Sequence, residues 1–181
     1  MKLNNKISVT VLIGAFIMLS AFAINNAMNW QIQSGYSIKF SGKDIEGDFE
    51  KISGEIAFDA NNLPNSKMNV NIDVTSIATG NWLKNRHAKS DKWFNAEKFP
   101  IINFTSSNFT KSNNGYLVHG ILDMHGVKKL ITIPFTFQKN LFNGSFKVNR
   151  VDYGVGNLEG MSKKVSNEIN ITISVPVKNI K

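Results

Sequence analysis

The chain has 181 residues, 42% of them hydrophobic, with 13 Phe and a formal charge of +8. This apolar content excludes a disordered chain, and the length suffices for one core held by burial alone. The lack of Cys excludes disulfides, thiol nucleophiles, thiolate metal sites and a lipidated N-terminal Cys.

The first element is a leader. Lys2 and Lys6 precede an apolar run from Ile7 to Ala23, and Ala21 and Ala23 supply the small residues of a cleavage site. Residues 1–23 are therefore expected to be a signal peptide that directs the chain to the periplasm or outside the cell. The run is close to the shortest that spans a bilayer, so an uncleaved anchor helix over residues 7–23 is the alternative. Residues 24–181 are expected to form one domain. Losing Lys2 and Lys6 with the leader still leaves that domain basic. Its cations are spread out, with Lys84-Asn85-Arg86-His87 and Lys128-Lys129 the densest groups. Such a surface suits anionic lipid headgroups, and an exported domain does not meet nucleic acid.

Strands follow. Trp30, Ile32, Tyr36, Ile38 and Phe40 share one parity, as do Met68, Val70, Ile72 and Val74, with Asn69, Asn71 and Asp73 on the other face. The pattern returns in Tyr116, Val118, Leu122 and Met124, in Ile131 to Phe137, in Phe146 and Val148, and in Ile169 to Val175. A period of two with one polar face is the mark of half-buried strands. Turn residues separate the runs at Ser41-Gly42, Asn61 to Asn65, Ser112 to Gly115 and Asn143-Gly144. The fold class predicted is all-β: an antiparallel sandwich or closed barrel of about eight strands.

Residues 79–99 break the alternation. Thr79 or Asn81 can cap a short helix, and Pro100 returns the chain to an extended form. The segment carries Trp82, Trp93, Phe94 and Phe99. A long connection of this kind in a compact β domain is commonly functional, and it is expected to cover or line one end of a barrel.

The order of these pieces resembles the YceI-like family from Trp30 to Val177. The resemblance rests on Gly47-Asp48-Phe49 leading to Gly54-Glu55-Ile56-Ala57-Phe58-Asp59, and on His87-Ala88-Lys89-Ser90-Asp91-Lys92-Trp93-Phe94 before Phe99-Pro100. It continues through Gly120-Ile121-Leu122-Asp123-Met124-His125-Gly126 and Asn149-Arg150-Val151-Asp152-Tyr153-Gly154. Lys84 and Asn85 stand where the family often has Arg-Asp, and Ala88 where it commonly has Leu. The resemblance implies a lipocalin-like β-barrel that binds an isoprenoid lipid of quinone or polyprenyl type, with no catalysis and no cofactor. Trp82, His87, Trp93 and Phe94, from the segment that breaks the alternation, are expected at the pocket rim, the alternative being that the aromatics among them plug the barrel end as core. Ile38, Phe40, Phe58, Val70, Ile72 and Phe104 are expected to line the barrel interior.

Two other readings stay open on the residues alone. His87 with Asp73 or Asp91 is a candidate acid–base pair, although no Ser elbow, phosphate loop or paired-His zinc spacing accompanies it. A barrel filled by its own side chains would instead suit an envelope domain that binds a protein or a glycan. His119 is expected on an outer face and His125 in a turn. Arg150 and Asp152 form a candidate surface ion pair, worth little to stability. Monomer and dimer are both compatible with the sequence.

Overall fold

Side chains that alternate between β-branched or aromatic residues and Asn, Thr or Ser fit a pleated surface with one wet face, and most of the described residues are strand. The computed structural model describes residues 27–156 and 159–180. The leader or anchor expected over residues 1–23 lies outside the described residues. The strands are β1 (Asn29–Ile32), β2 (Ser37–Gly42), β3 (Ile45–Phe49), β4 (Ile52–Ala57), β5 (Lys67–Asp73) and β6 (Ile77–Ala78). Helix α1 (Trp82–Lys89) comes next, then β7 (Ile101–Ser112), β8 (Gly115–Met124), β9 (Val127–Gln138), β10 (Leu141–Asn149) and β11 (Glu168–Ile180). Short 3-10 turns include Val74–Ser76, Arg150–Tyr153 and Gly160–Lys164.

Every pairing is antiparallel, and the sheet closes on itself. β11 pairs with β10 along one edge, and with β2 and then β1 along the other. β2 and β1 in turn pair with β3 and β4, which pair with β6 and β5. The first six strands are thus three staves, each broken once; β7 to β11 supply the other five, and β5–β7 pairing completes the ring. The result is the expected closed eight-stranded antiparallel barrel with one short helix. Closure leaves no long free edge for another chain to extend.

Two details of the wall matter later. The β7–β8 register shifts between Ser106 and Asn108, a bulge that changes which parity of β7 points inward. Ile102 and Phe104 are buried before it and Phe109 after it. The β9–β10 ladder runs only from Leu141 opposite Gln138 to Gly144 opposite Phe135. Pro134, the next residue of β9, has no N–H to continue a ladder. Above that point the 3-10 turn after β10 leans on the β8–β9 hairpin. The carbonyl of Tyr153 lies 3.1 Å from His125 Nδ1, and Lys129 Nζ lies 3.4 Å from Asp152.

The barrel is filled at one end. Phe58 is 0% exposed, and its ring lies within 5.8 Å of Phe109, Tyr116, Phe135, Phe137 and Phe142. Most of these contacts are edge-to-face, the arrangement aromatic rings prefer. Trp30 packs edge-on against Phe137, and its indole N–H donates to the Phe58 carbonyl at 2.8 Å. This aromatic plug is a solid core and leaves no room for a guest.

Candidate ligand-binding cavity

The other end is hollow. A cavity of about 800 Å³ opens there, walled by Ile38, Phe40, Ile72, Ile102, Leu122 and Ile171, with further apolar residues between them. Cavities of this size hold small molecules, and a predominantly apolar wall selects an apolar guest. Its mouth is polar: Asp44 from the β2–β3 turn, Glu46 from the start of β3, Thr79, Lys84 and His87 around α1, and Lys164 from the 3-10 turn 160–164.

Helix α1 forms one lip. Asn81 caps it, its side-chain oxygen accepting from the N–H groups of Leu83 and Lys84 at 3.0 Å each. Asn85 ties it to the preceding loop by accepting from the N–H and the hydroxyl of Thr79, at 2.8 and 2.7 Å. This amide occupies the position where the family often has Asp, and it performs an acceptor's task without a charge. Lys84, His87 and Ala88, spaced three and four apart, share the face turned to the cavity. After the helix the chain winds tightly. The Phe94 N–H donates to the Ala88 carbonyl, and the Ala96 N–H to that of Lys89, both at 3.0 Å. This winding lays Trp93 and Phe94 against the cavity, with Phe94 edge-on to Phe49 at 6.0 Å.

The opposite lip is built around Arg150, which is only 4% exposed. Its Nε donates to the Ser166 carbonyl at 2.9 Å. Its Nη1 reaches Val155 and Gly156 carbonyls at 2.8 and 3.1 Å. Nη2 reaches the carbonyls of Ser162 and Val165 and the side-chain oxygen of Asn167 at 3.0 to 3.3 Å. The guanidinium carbon sits 5.2 Å from the Trp93 ring centroid, a cation–π contact that joins the two lips. Gly156, at φ +70°, makes this possible: a Cβ there would fall 2.8 Å from both Arg150 Nη1 and the Trp93 ring. Burial pulls the guanidinium below its ordinary pKa, yet from so high a value that it stays charged. The surface ion pair expected between Arg150 and Asp152 is therefore absent. Arg150 turns inward to backbone carbonyls, and Asp152 pairs with Lys129.

The residues predicted for the site divide as follows. His87, Trp93 and Phe94 border the cavity, as do Ile38, Phe40 and Ile72. Trp82 does not. It sits on the side of α1 away from Lys84 and Ala88 and is 73% exposed. Phe58 belongs to the plug at the far end. Val70 and Phe104 face each other across β5 and β7, one pair deeper than Ile72 and Ile102, and neither borders the cavity. The outer end of the Phe104 ring lies over Gly120 of β8, where a Cβ would come within 2.7 Å of it. It covers a bare stretch of wall instead of pointing at the space. Phe49, Ile77, Met124, Phe146 and Val148 border the cavity without having been singled out for it. Parity marked Met124, Phe146 and Val148 as inward, but parity does not tell height along the barrel.

Of the histidines, His119 lies on the outer wall between Thr110 and Thr132, at 3.3 and 2.9 Å. His125 sits in the β8–β9 turn at φ +55°. Among the described residues no carboxylate pairs with His87, and there is no cluster of three metal-ligating side chains.

Comparison with known proteins agrees with this architecture. Residues 27–177 match the model of the YceI-like domain. A UPF0312 protein of Vibrio vulnificus is 31% identical over 138 residues, covering 70% of this chain and 72% of that one. Among solved structures, Burkholderia cenocepacia BcnA superposes with a TM-score of 0.76 at 26% identity, over 82% of this chain and 99% of its own. A Campylobacter jejuni YceI protein reaches 0.63 at 27% identity, over 76% and 86% of the two chains. A polyisoprenoid-binding domain from Saccharophagus degradans shares the fold, with a TM-score of 0.61 at 16% identity over 86% and 99%. A barrel plugged by aromatics at one end and hollow at the other, with a match spanning nearly every described strand, places the chain in the YceI-like family.

Proposed function

We propose that this protein is an exported carrier that holds one long apolar isoprenoid lipid, of quinone or polyprenyl type, inside the barrel. The observation that carries this reading is the cavity of about 800 Å³, apolar in its walls and polar only at its mouth. A flexible hydrocarbon tail fits such a space, and each 100 Å² of tail taken from water is worth roughly 2.5 kcal/mol before ordering costs. Asp44, Glu46, Lys84, His87 and Lys164 then offer hydrogen bonds and charges to a head group at the opening. The binding named for the Saccharophagus degradans domain supports the same ligand class. Binding without chemistry fits the site, because among the described residues no carboxylate pairs with His87 to orient it. The basic leader followed by Ile7 to Ala23 supports a periplasmic or secreted location, where an apolar lipid needs shelter from water.

The test is native mass spectrometry, with organic extraction, of protein purified from its own envelope. A bound isoprenoid at about one per chain is the expected result. Protein that carries no isoprenoid and takes up neither quinone nor polyprenol when offered them would sink the proposal.

A further inference from the structure

The outer side of α1 has no partner in the barrel. Lys84, His87 and Ala88 face the cavity, so Trp82, Arg86 and Lys89, at spacings of four, three and seven, fall together on the opposite side. Trp82 is 73% exposed and the neighbouring Leu83 is 42% exposed. A large aromatic this open to water is uncommon, and here cations flank it. Around the rest of the rim Lys43 on the β2–β3 turn and Lys163 and Lys164 on the 3-10 turn 160–164 are also exposed, beside Asp44, Glu46 and Glu159, so the net excess of cations lies on α1. Trp with Lys and Arg is the combination that settles at the headgroup level of a bilayer, ring in the interface and charges on anionic lipid.

We infer that the cavity mouth docks on an anionic lipid bilayer, with Trp82 and Leu83 inserted at the interface and Arg86 and Lys89 on lipid phosphates. The partner is committed by charge complementarity and by position, since the same eight-residue helix forms the lip of the cavity. A further exposed apolar pair, Ile121 opposite Leu130, lies on the outer wall of β8 and β9. It is flanked by the salt-bridged Asp123–Lys128 pair and does not belong to a mouth element. The docking gains its purpose from the carrier reading but does not depend on it, because the surface is present whether or not the cavity holds a lipid.

The full chain is mixed with phosphatidylcholine vesicles, with or without one third phosphatidylglycerol, whose acyl chains are brominated. Quenching of Trp82 is read as the difference between the parent and Trp82→Phe, which works whether or not residues 7–23 remain attached. Strong quenching of Trp82 on the anionic vesicles, weak quenching on the neutral ones, and loss at high salt are expected. Arg86→Gln and Lys89→Gln should each lower the preference for anionic vesicles about fivefold. Leu130→Ser should leave all of this unchanged. Equal quenching on both vesicles, no quenching on either, or loss of the signal in Leu130→Ser overturns the inference. The lipid content of the same samples by native mass spectrometry reports separately on the carrier reading, so either idea is able to fail alone.

Discussion

Arg150 shows how much a single side chain organises. Five N–H groups meet backbone carbonyls or an amide oxygen from residues 155 to 167, and its planar face meets Trp93. Arg150→Met should therefore lose about 3 kcal/mol by urea unfolding, because it strands buried carbonyls. Arg150→Lys should recover only part, since an ammonium cannot reach so many acceptors in one plane. The adjacent Tyr153 gives a pH signature. Burial, and then the charge of Asp152, raise its phenol above the ordinary value. A raised folded pKa contributes stability that is complete below the unfolded pKa near 10 and is lost as pH rises through the folded one. The parent should thus lose stability above about pH 10 more steeply than Tyr153→Phe, as read from melting temperatures across that range. The alternation and the family resemblance drew attention to neither role. A charged residue beside glycines looks like surface in a one-dimensional reading; only the folded lip reveals that it points inward.

At the scale of elements, the hairpins are where sequence and backbone disagree most. Lys139 and Asn140 join β9 to β10, both at positive φ, +50° and +60°. That is the type I′ geometry, which Asn and Gly accept and Lys does not favour. Lys139→Asn should therefore stabilise the barrel by about 0.5–1 kcal/mol, a rise of roughly 2–4 °C in Tm measured by circular dichroism. Strand legibility followed the physics of the pleat. β8, β9 and β11 were plain in the alternation because each keeps one face wet along its length. β7 was not, because the bulge at Ser106 to Asn108 swaps its parity midway and cancels the signal. The alternation predicts one strand from Met68 to Val74, yet Val74 starts a 3-10 turn capped by Asp73, which accepts from the Thr75 N–H at 2.8 Å. The sequence predicts a short helix within residues 79–99 capped by Thr79 or Asn81, and Asn81 is the cap. Its orientation was not legible, which is why Trp82 was assigned to the wrong side.

The whole molecule divides its interior between strength and storage. Phe58 and its partners fill one half; Ile72, Leu122, Val148 and their neighbours surround space in the other. Mutations should separate accordingly. Phe58→Ala removes a ring packed on all sides and should cost about 3–5 kcal/mol in chemical unfolding, while molecules that stay folded keep their capacity for lipid. Val148→Trp pushes an indole into open space; it should cost less than about 1.5 kcal/mol yet sharply reduce recovered isoprenoid per folded chain. The reverse pattern would mean that the hollow end is the structural one. The sequence disclosed a barrel and most of its inward residues, but not this partition. Periodicity gives the face of a strand, and height along the axis depends on register and shear that no single strand encodes.

The plug has a kinetic meaning as well. With Phe58 and its ring of aromatics sealing the floor, the barrel is a vessel with one door. On the carrier reading proposed above, a lipid would enter tail first and leave head first through the same opening, so loading and unloading would not run as a relay from one end to the other. Filling and emptying would then take turns at that one opening, and the slower of the two would set the pace of exchange.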